Sequence, residues 1–178
     1  MMHPMSILSI IKRNLVKNRD VHTTTETVRK ISRELDRLDP KQAKFIACFA
    51  YLLSRVAAAD LTISQDEIAT MEKIIMEKGG LSEEQAVMVV QMAKTQNVLF
   101  GGTENYLVAR EFRDMANHKE RLALLDCLFS IAASHDSIST LEDNEISQIA
   151  DELRIEHRDF ISIRSEYRDQ LAVLKQKN

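Results

Sequence analysis

Apolar residues recur along this chain at spacings of three and four, the period of a helix with one face turned to a core. Ile7, Leu8, Ile10, Ile11 and Leu15 open the pattern as a short amphipathic helix. Val28, Ile31, Leu35 and Leu38 predict a second, stopped at Asp39-Pro40, and Phe45, Phe49, Leu52, Leu53 and Val56 a third. Ile68, Met71, Ile74 and Ile75 mark a fourth, ended by Gly79-Gly80, and Ala86, Val89, Val90 and Ala93 a fifth after Ser82. Beyond Gly101-Gly102, the span from Tyr106 to Ala116 reads as helical. Stripes follow at Leu122 to Ala132, at Ile146 to Leu153, and at Phe160, Ile163, Tyr167, Leu171 and Leu174. No strand-like alternation of useful length interrupts them. The pattern predicts an all-α fold, a single domain of eight or nine helices.

Two stretches of this pattern are related. A shift of 75 residues lays LSRVAAADLTISQDEIATMEKIIME, from Leu53, on LFSIAASHDSISTLEDNEISQIADE, from Leu128, and eight of 25 positions are identical without a gap. Similar composition would give roughly one or two such identities. Each half is helix, short turn, helix, which predicts two related helical hairpins packed about a shared core, neither folding alone.

Composition narrows the class without naming a function. Four Gly and two Pro in 178 residues leave few tight turns, as long helices with short joints require. Cys48 and Cys127 sit in apolar helical runs without a CxxC pair and read as buried, reduced thiols, a disulfide between them having no support. No stretch reaches the ~20 apolar residues of a membrane span. Net charge is −3, too small to argue for nucleic acid, but residues 1–44 hold ten basic and five acidic residues, leaving the rest strongly acidic. The chain divides into a basic amphipathic segment over 1–22 and a helical domain over 23–178, with repeat one at 41–98 and repeat two at 103–174. The first segment, residues 1–20 especially, is a candidate for peripheral membrane contact, packing on its own domain being the alternative.

The chemistry that the repeats share lies in their turns. Ser64-x-x-Glu67 and Ser139-x-x-Glu142 are capping boxes, in which the Ser hydroxyl accepts from the amide three residues on and the carboxylate reaches back to the Ser amide. Ser82-x-x-Gln85 repeats the device. That gives Glu67 and Glu142 a purely structural explanation. The functional alternative adds Asp60, seven residues before Glu67, and Asp66 beside it: carboxylates at both ends of a short turn can converge on a hard divalent cation. The EF-hand spacing is absent. In the second turn His135 stands where Asp60 stands in the first, followed by Asp136, a set that suits a transition metal better than calcium. Glu111, Asp114 and His118 share one helical face, but ordinary surface pairing explains them. No catalytic constellation is present: no HExxH, GxSxG or Gly-rich phosphate loop, and no His preceded at three residues by Glu or Asp.

The strings VAAAD-x-x-I-S-x-x-E at Val56–Glu67, IAASHD-x-I-S-x-x-E at Ile131–Glu142 and IADELRIEHRDFISIR at Ile149–Arg164 resemble the tellurite-resistance TerB-like family, across roughly residues 25–170. The resemblance implies a two-repeat helical module, related to ones found beside co-chaperone J-domains. It also implies a cytoplasmic setting linked to stress responses and membrane-associated complexes, with an acidic site for a divalent metal. Carried over by position, that site is Asp60, Glu67 and Glu142, with Asp66 beside them and His135 and Asp136 as secondary candidates; Ser64 and Ser139 are caps. The metal would belong to the Ca²⁺ or Mg²⁺ class ahead of a transition metal. The small residue that usually follows the motif Asp is Leu61 in the first turn, where it makes a left-handed backbone less comfortable than Gly would, and Asp136 in the second. The reading is a non-enzymatic module, partnered by other proteins and not by nucleic acid; the alternative is an interaction scaffold whose shared turn is only a helix cap.

Overall fold

The computed structural model describes residues 6–17, 24–57, 65–95 and 105–175. Within them the chain forms α1 (Ile7–Lys17), α2 (Thr24–Arg37), α3 (Pro40–Ala57), α4 (Gln65–Glu77), α5 (Glu83–Lys94), α6 (Asn105–Met115), α7 (His118–Ala133), α8 (Thr140–Glu152) and α9 (His157–Glu166). A 3₁₀ turn (Arg168–Gln170) and a single-turn α10 (Ala172–Lys175) complete it. The fold is all-α, and the described residues contain no strand. The one departure from the expected helix list is at the end: the stripe from Phe160 to Leu174 is not one helix but α9, the 3₁₀ turn and α10. Leu171 keeps its buried place there by leaving the helix, with Ile138 N–H donating to the Gln170 carbonyl at 2.8 Å and Ala172 N–H to the Ile138 carbonyl at 3.0 Å.

The 75-residue offset between the repeats lays α4 on α8 end to end, so the duplication seen in sequence is a duplication of structure. α3 and α7, the first helices of the two repeats, pack on each other at the centre. α3 is buried almost around its whole circumference, from Ala43 to Val56, as a helix without a polar face must be. It is covered by α1, α2, α5, α6, α7 and α8. The second helices cross over: α8 packs on α3 of the other repeat as well as on α7, and α4 packs on α7 and α5. The expected hairpins are therefore interlocked.

Local chemistry sets the joints. Asp39 Oδ2 accepts from the amides of Lys41 and Gln42, and Pro40 follows at the first helical position, where its missing N–H costs nothing. Ser82 with Gln85 and Asn117 with Glu120 form complete capping boxes on α5 and α7. At the end of α4, a Cβ on Gly79 would lie 2.5 Å from the Ile75 carbonyl oxygen and 3.0 Å from the Phe49 ring, so bare backbone lets this joint close on α3. Gly80 then takes φ +70. The equivalent joint after α8 is made by Arg154 at φ 53, with the Ile155 amide reaching back to Ala150 at 3.0 Å.

The N-terminal segment contributes α1 to the same core. Ile7, Ile10 and Ile11 are buried, and the Ile7 amide donates to Glu111 Oε2 on α6 at 3.2 Å. That carboxylate also meets Lys44 at 3.8 Å and the Cys48 thiol at 3.9 Å. Cys48 and Cys127 are free and buried, and burial pushes both thiols well above their ordinary range.

The interlock carries one buried ionic tie. The Arg55 side chain on α3, 5% exposed, reaches Glu145 through Nε at 2.6 Å and Glu152 through Nη1 at 2.6 Å and Nη2 at 3.3 Å, both on α8. Arg55→Met should cost about 3 kcal/mol in urea unfolding, because it strands two carboxylates. Adding Glu145→Gln and Glu152→Gln should recover part of that loss; a single-variant cost below about 1 kcal/mol would show that the tie holds nothing. Arg154→Gly should raise stability by roughly 0.5–1 kcal/mol by relieving the left-handed backbone, whereas Gly80→Ala should lower it by a similar amount.

Candidate functional site

The second turn joins α7 to α8 through residues 134–139. Ser134 closes α7 by donating its amide and hydroxyl to the Ile131 carbonyl, at 3.1 and 2.7 Å. Asp136 takes φ 73, the left-handed conformation, at the position where a small residue would be most at ease; a short polar side chain tolerates it better than most. Ser139 then caps α8. Its hydroxyl accepts from the Glu142 amide at 3.2 Å, and Glu142 Oε2 accepts in return from the Ser139 amide and hydroxyl, each at 2.8 Å.

The other acidic residues at this end of α8 are equally committed. Asp143, 8% exposed, receives the Arg164 guanidinium of α9 in a two-pronged bond of 2.8 and 2.6 Å, and Glu145 receives Arg55. The dense acidic run is thus a set of separate structural pairs. The Glu111, Asp114, His118 stripe disperses in the same way: Glu111 to α1, Asp114 to Arg113 at 3.4 Å, His118 to Asp159 at 3.2 Å.

What the fold does bring together is one residue from each turn. Glu67, third in α4, and His135, at the end of α7, meet at 3.2 Å between Oε1 and Nε2, although 68 residues separate them. Both are partly open to solvent, His135 half exposed. With a proton on Nε2 the imidazole donates to the carboxylate, and with both nitrogens protonated the contact is an ion pair. Asp66 is exposed beside Glu67, and Asp136 beside His135. Asp60 and Ser64 lie outside the described residues. Among the described residues no three His, Cys, Asp or Glu side chains converge in a way that could hold a metal ion. The described part of the junction supplies two donors, one oxygen and one nitrogen, and a metal shell needs more than these.

Sequence reasoning missed the residues that fix this geometry. Arg55 was the one with a signal, a lone cation within the apolar run FIACFAYLLSRVAA; the Asp143–Arg164 pair had none. The cap itself is testable. Ser139→Ala should destabilise the protein by about 1 kcal/mol in thermal or urea unfolding, while Glu142→Gln, which keeps an accepting oxygen, should change stability by less than about 0.5 kcal/mol.

Comparison with known proteins places this arrangement. The profile of the family described as tellurite resistance protein TerB matches residues 45–165, which take in α4 to α9 and most of α3, and therefore both turns. Neither the curated proteins nor the solved structures gave a match. α1, α2 and the segment after Ser165 lie outside the matched span. With the match covering well over half the chain and both repeats, the protein belongs to the TerB tellurite-resistance family.

Proposed function

We propose that this protein is a non-enzymatic TerB-like helical module that binds a divalent cation beside the contact between Glu67 and His135. The observation that supports the reading is the 3.2 Å contact between Glu67 and His135, which joins a carboxylate of one repeat to an imidazole of the other. Asp60 is the residue proposed to complete the set, with Asp66 adjacent. Glu142 is a weaker donor than its position in the motif implies, because its Oε2 already serves the Ser139 cap. An imidazole among the ligands favours the borderline Zn²⁺, or Mn²⁺, which accepts mixed nitrogen and oxygen shells, over Ca²⁺, which prefers a shell of oxygens. A role in tellurite resistance and stress response, and a cytoplasmic setting, are proposed on the ground of family membership. Fold and family do not by themselves fix such a role. No helix among the described residues is long and apolar enough to cross a membrane. Ile7, Ile10 and Ile11 of α1 are spent on the core, so peripheral membrane contact that used them would need α1 to leave it.

One observation favours a second reading, a protein-interaction scaffold without metal. Glu142, Asp143 and Glu145 each have a structural partner, so the acidic character of the second turn has an explanation in folding alone.

Calorimetry with Zn²⁺, Mn²⁺, Ca²⁺ and Mg²⁺ separates the two. A saturable heat with Zn²⁺ or Mn²⁺, lost in Asp60→Ala and weakened at least tenfold in His135→Ala, is the expected outcome. Saturable binding of Ca²⁺ or Mg²⁺ that is indifferent to His135→Ala would return the site to the carboxylates. No saturable heat with any of the four ions leaves the scaffold reading.

A further inference from the structure

We infer that residues 167–175, which lie beyond the family-matched span, form a strap that holds the second turn in the shape that presents His135 to Glu67. The turn residue Ile138 stands between α7 and α8, so neither its N–H nor its carbonyl has a partner within a helix. Both are taken by the strap: the N–H donates to the Gln170 carbonyl at 2.8 Å, and the carbonyl accepts from the Ala172 amide at 3.0 Å. An unpaired buried backbone group is costly, so these two bonds decide whether the turn keeps its conformation. Ile138 is fully buried and Leu171, opposite it, is 1% exposed, so the pairing is sealed from water. Two residues before Ile138, the Lys175 ammonium donates to the carbonyl of Asp136 at 3.4 Å, on the residue whose left-handed backbone most needs support.

The strap is anchored at its other end by Tyr167. That ring stacks on Phe129 of α7 at 5.5 Å, and its hydroxyl donates to Asp126, reaching both the carboxylate and, at 3.2 Å, the carbonyl. Asp126 also receives Lys78 at 3.1 Å, from the joint that follows α4. The strap therefore holds the second repeat, and is linked to the first indirectly, through the Asp126–Lys78 pair, while making little structure of its own. A 3₁₀ turn and a single-turn helix are too short to persist unaided, so the segment stays in place through these contacts. It forms a local unit that can open without unfolding the interlocked core. Opening would free Ile138 and Asp136, and with them the next residue back, His135.

Amide hydrogen exchange on the full chain tests this. In Leu171→Ala, and more mildly in Lys175→Met, the Ile138 and Ala172 amides should lose protection together, by about tenfold or more in the first variant, while core amides such as Leu52 and Phe129 keep theirs. The coupling between His135→Ala and Glu67→Gln in a double-mutant cycle should vanish in the Leu171→Ala background. Unchanged protection at Ile138, or a fall shared equally by the core amides, would overturn the strap. A further consequence, that Leu171→Ala weakens Zn²⁺ or Mn²⁺ binding, rests on the cation reading above. If the wild type binds neither ion yet Ile138 is still deprotected, the cation reading fails and the strap stands.

Discussion

A helix that is apolar on every side cannot be stable at a surface, and α3 is such a helix. Its burial dictates the architecture: α1, α2, α5, α6, α7 and α8 all reach it, and the last three belong to the opposite repeat. Two hairpins that each kept their own helices could cover one another along a single face only. Crossing α8 onto α3 and α4 onto α7 encloses both central helices at once. It also carries the first turn of α4 toward the turn that precedes α8, so that Glu67 meets His135. The candidate site is thus a by-product of enclosure.

The same crossing creates an electrostatic problem and solves it. α8 brings Glu145 and Glu152 against an apolar helix, where lone carboxylates would be poorly solvated. Arg55 answers from within α3, its side chain almost wholly withdrawn from water and bonded to both. Replacing a buried ionic cluster by apolar residues is often neutral or favourable, so stability alone is a weak reason to keep one. Its effect here is on register: three directional bonds pin α8 along α3, where sliding apolar surfaces would leave its height free.

Much of this was legible in the sequence, and the reasons are local. Period and breakers located α1 to α8 because apolar residues recur in each at threes and fours, and several end at a stop residue such as Pro40 or Gly80. The 75-residue repeat showed the duplication, and the Ser-x-x-Glu spacing at Ser139 marked a cap, since capping geometry fixes that spacing. Asn117-x-x-Glu120 carried the same signal in a less familiar spelling. The crossing was not legible, because apolar stripes on α4 and α8 say that a face is buried but not against which helix. Nor was the division of the last stripe. Leu171 and Leu174 fit helical period as well as they fit the strap, and backbone bonds to Ile138, 33 residues earlier in the chain, decide the matter. The partners of the acidic residues that open α8 were hidden for a related reason: Arg55 and Arg164, which take up Glu145 and Asp143, are 90 and 21 residues away from them.

The carboxylate of Glu111 has a meaning beyond its bonds. It lies within the span that matches the family, yet a principal partner, the first amide of α1, belongs to a helix outside that span. Without such a helix the acid would keep only Lys44, at 3.8 Å, and the Cys48 thiol, at 3.9 Å, as partners. An acidic residue at this position of α6, paired with a lysine at the position of Lys44, is therefore a sequence marker. It should sort relatives that carry an N-terminal helix docked on the module from those whose module stands bare.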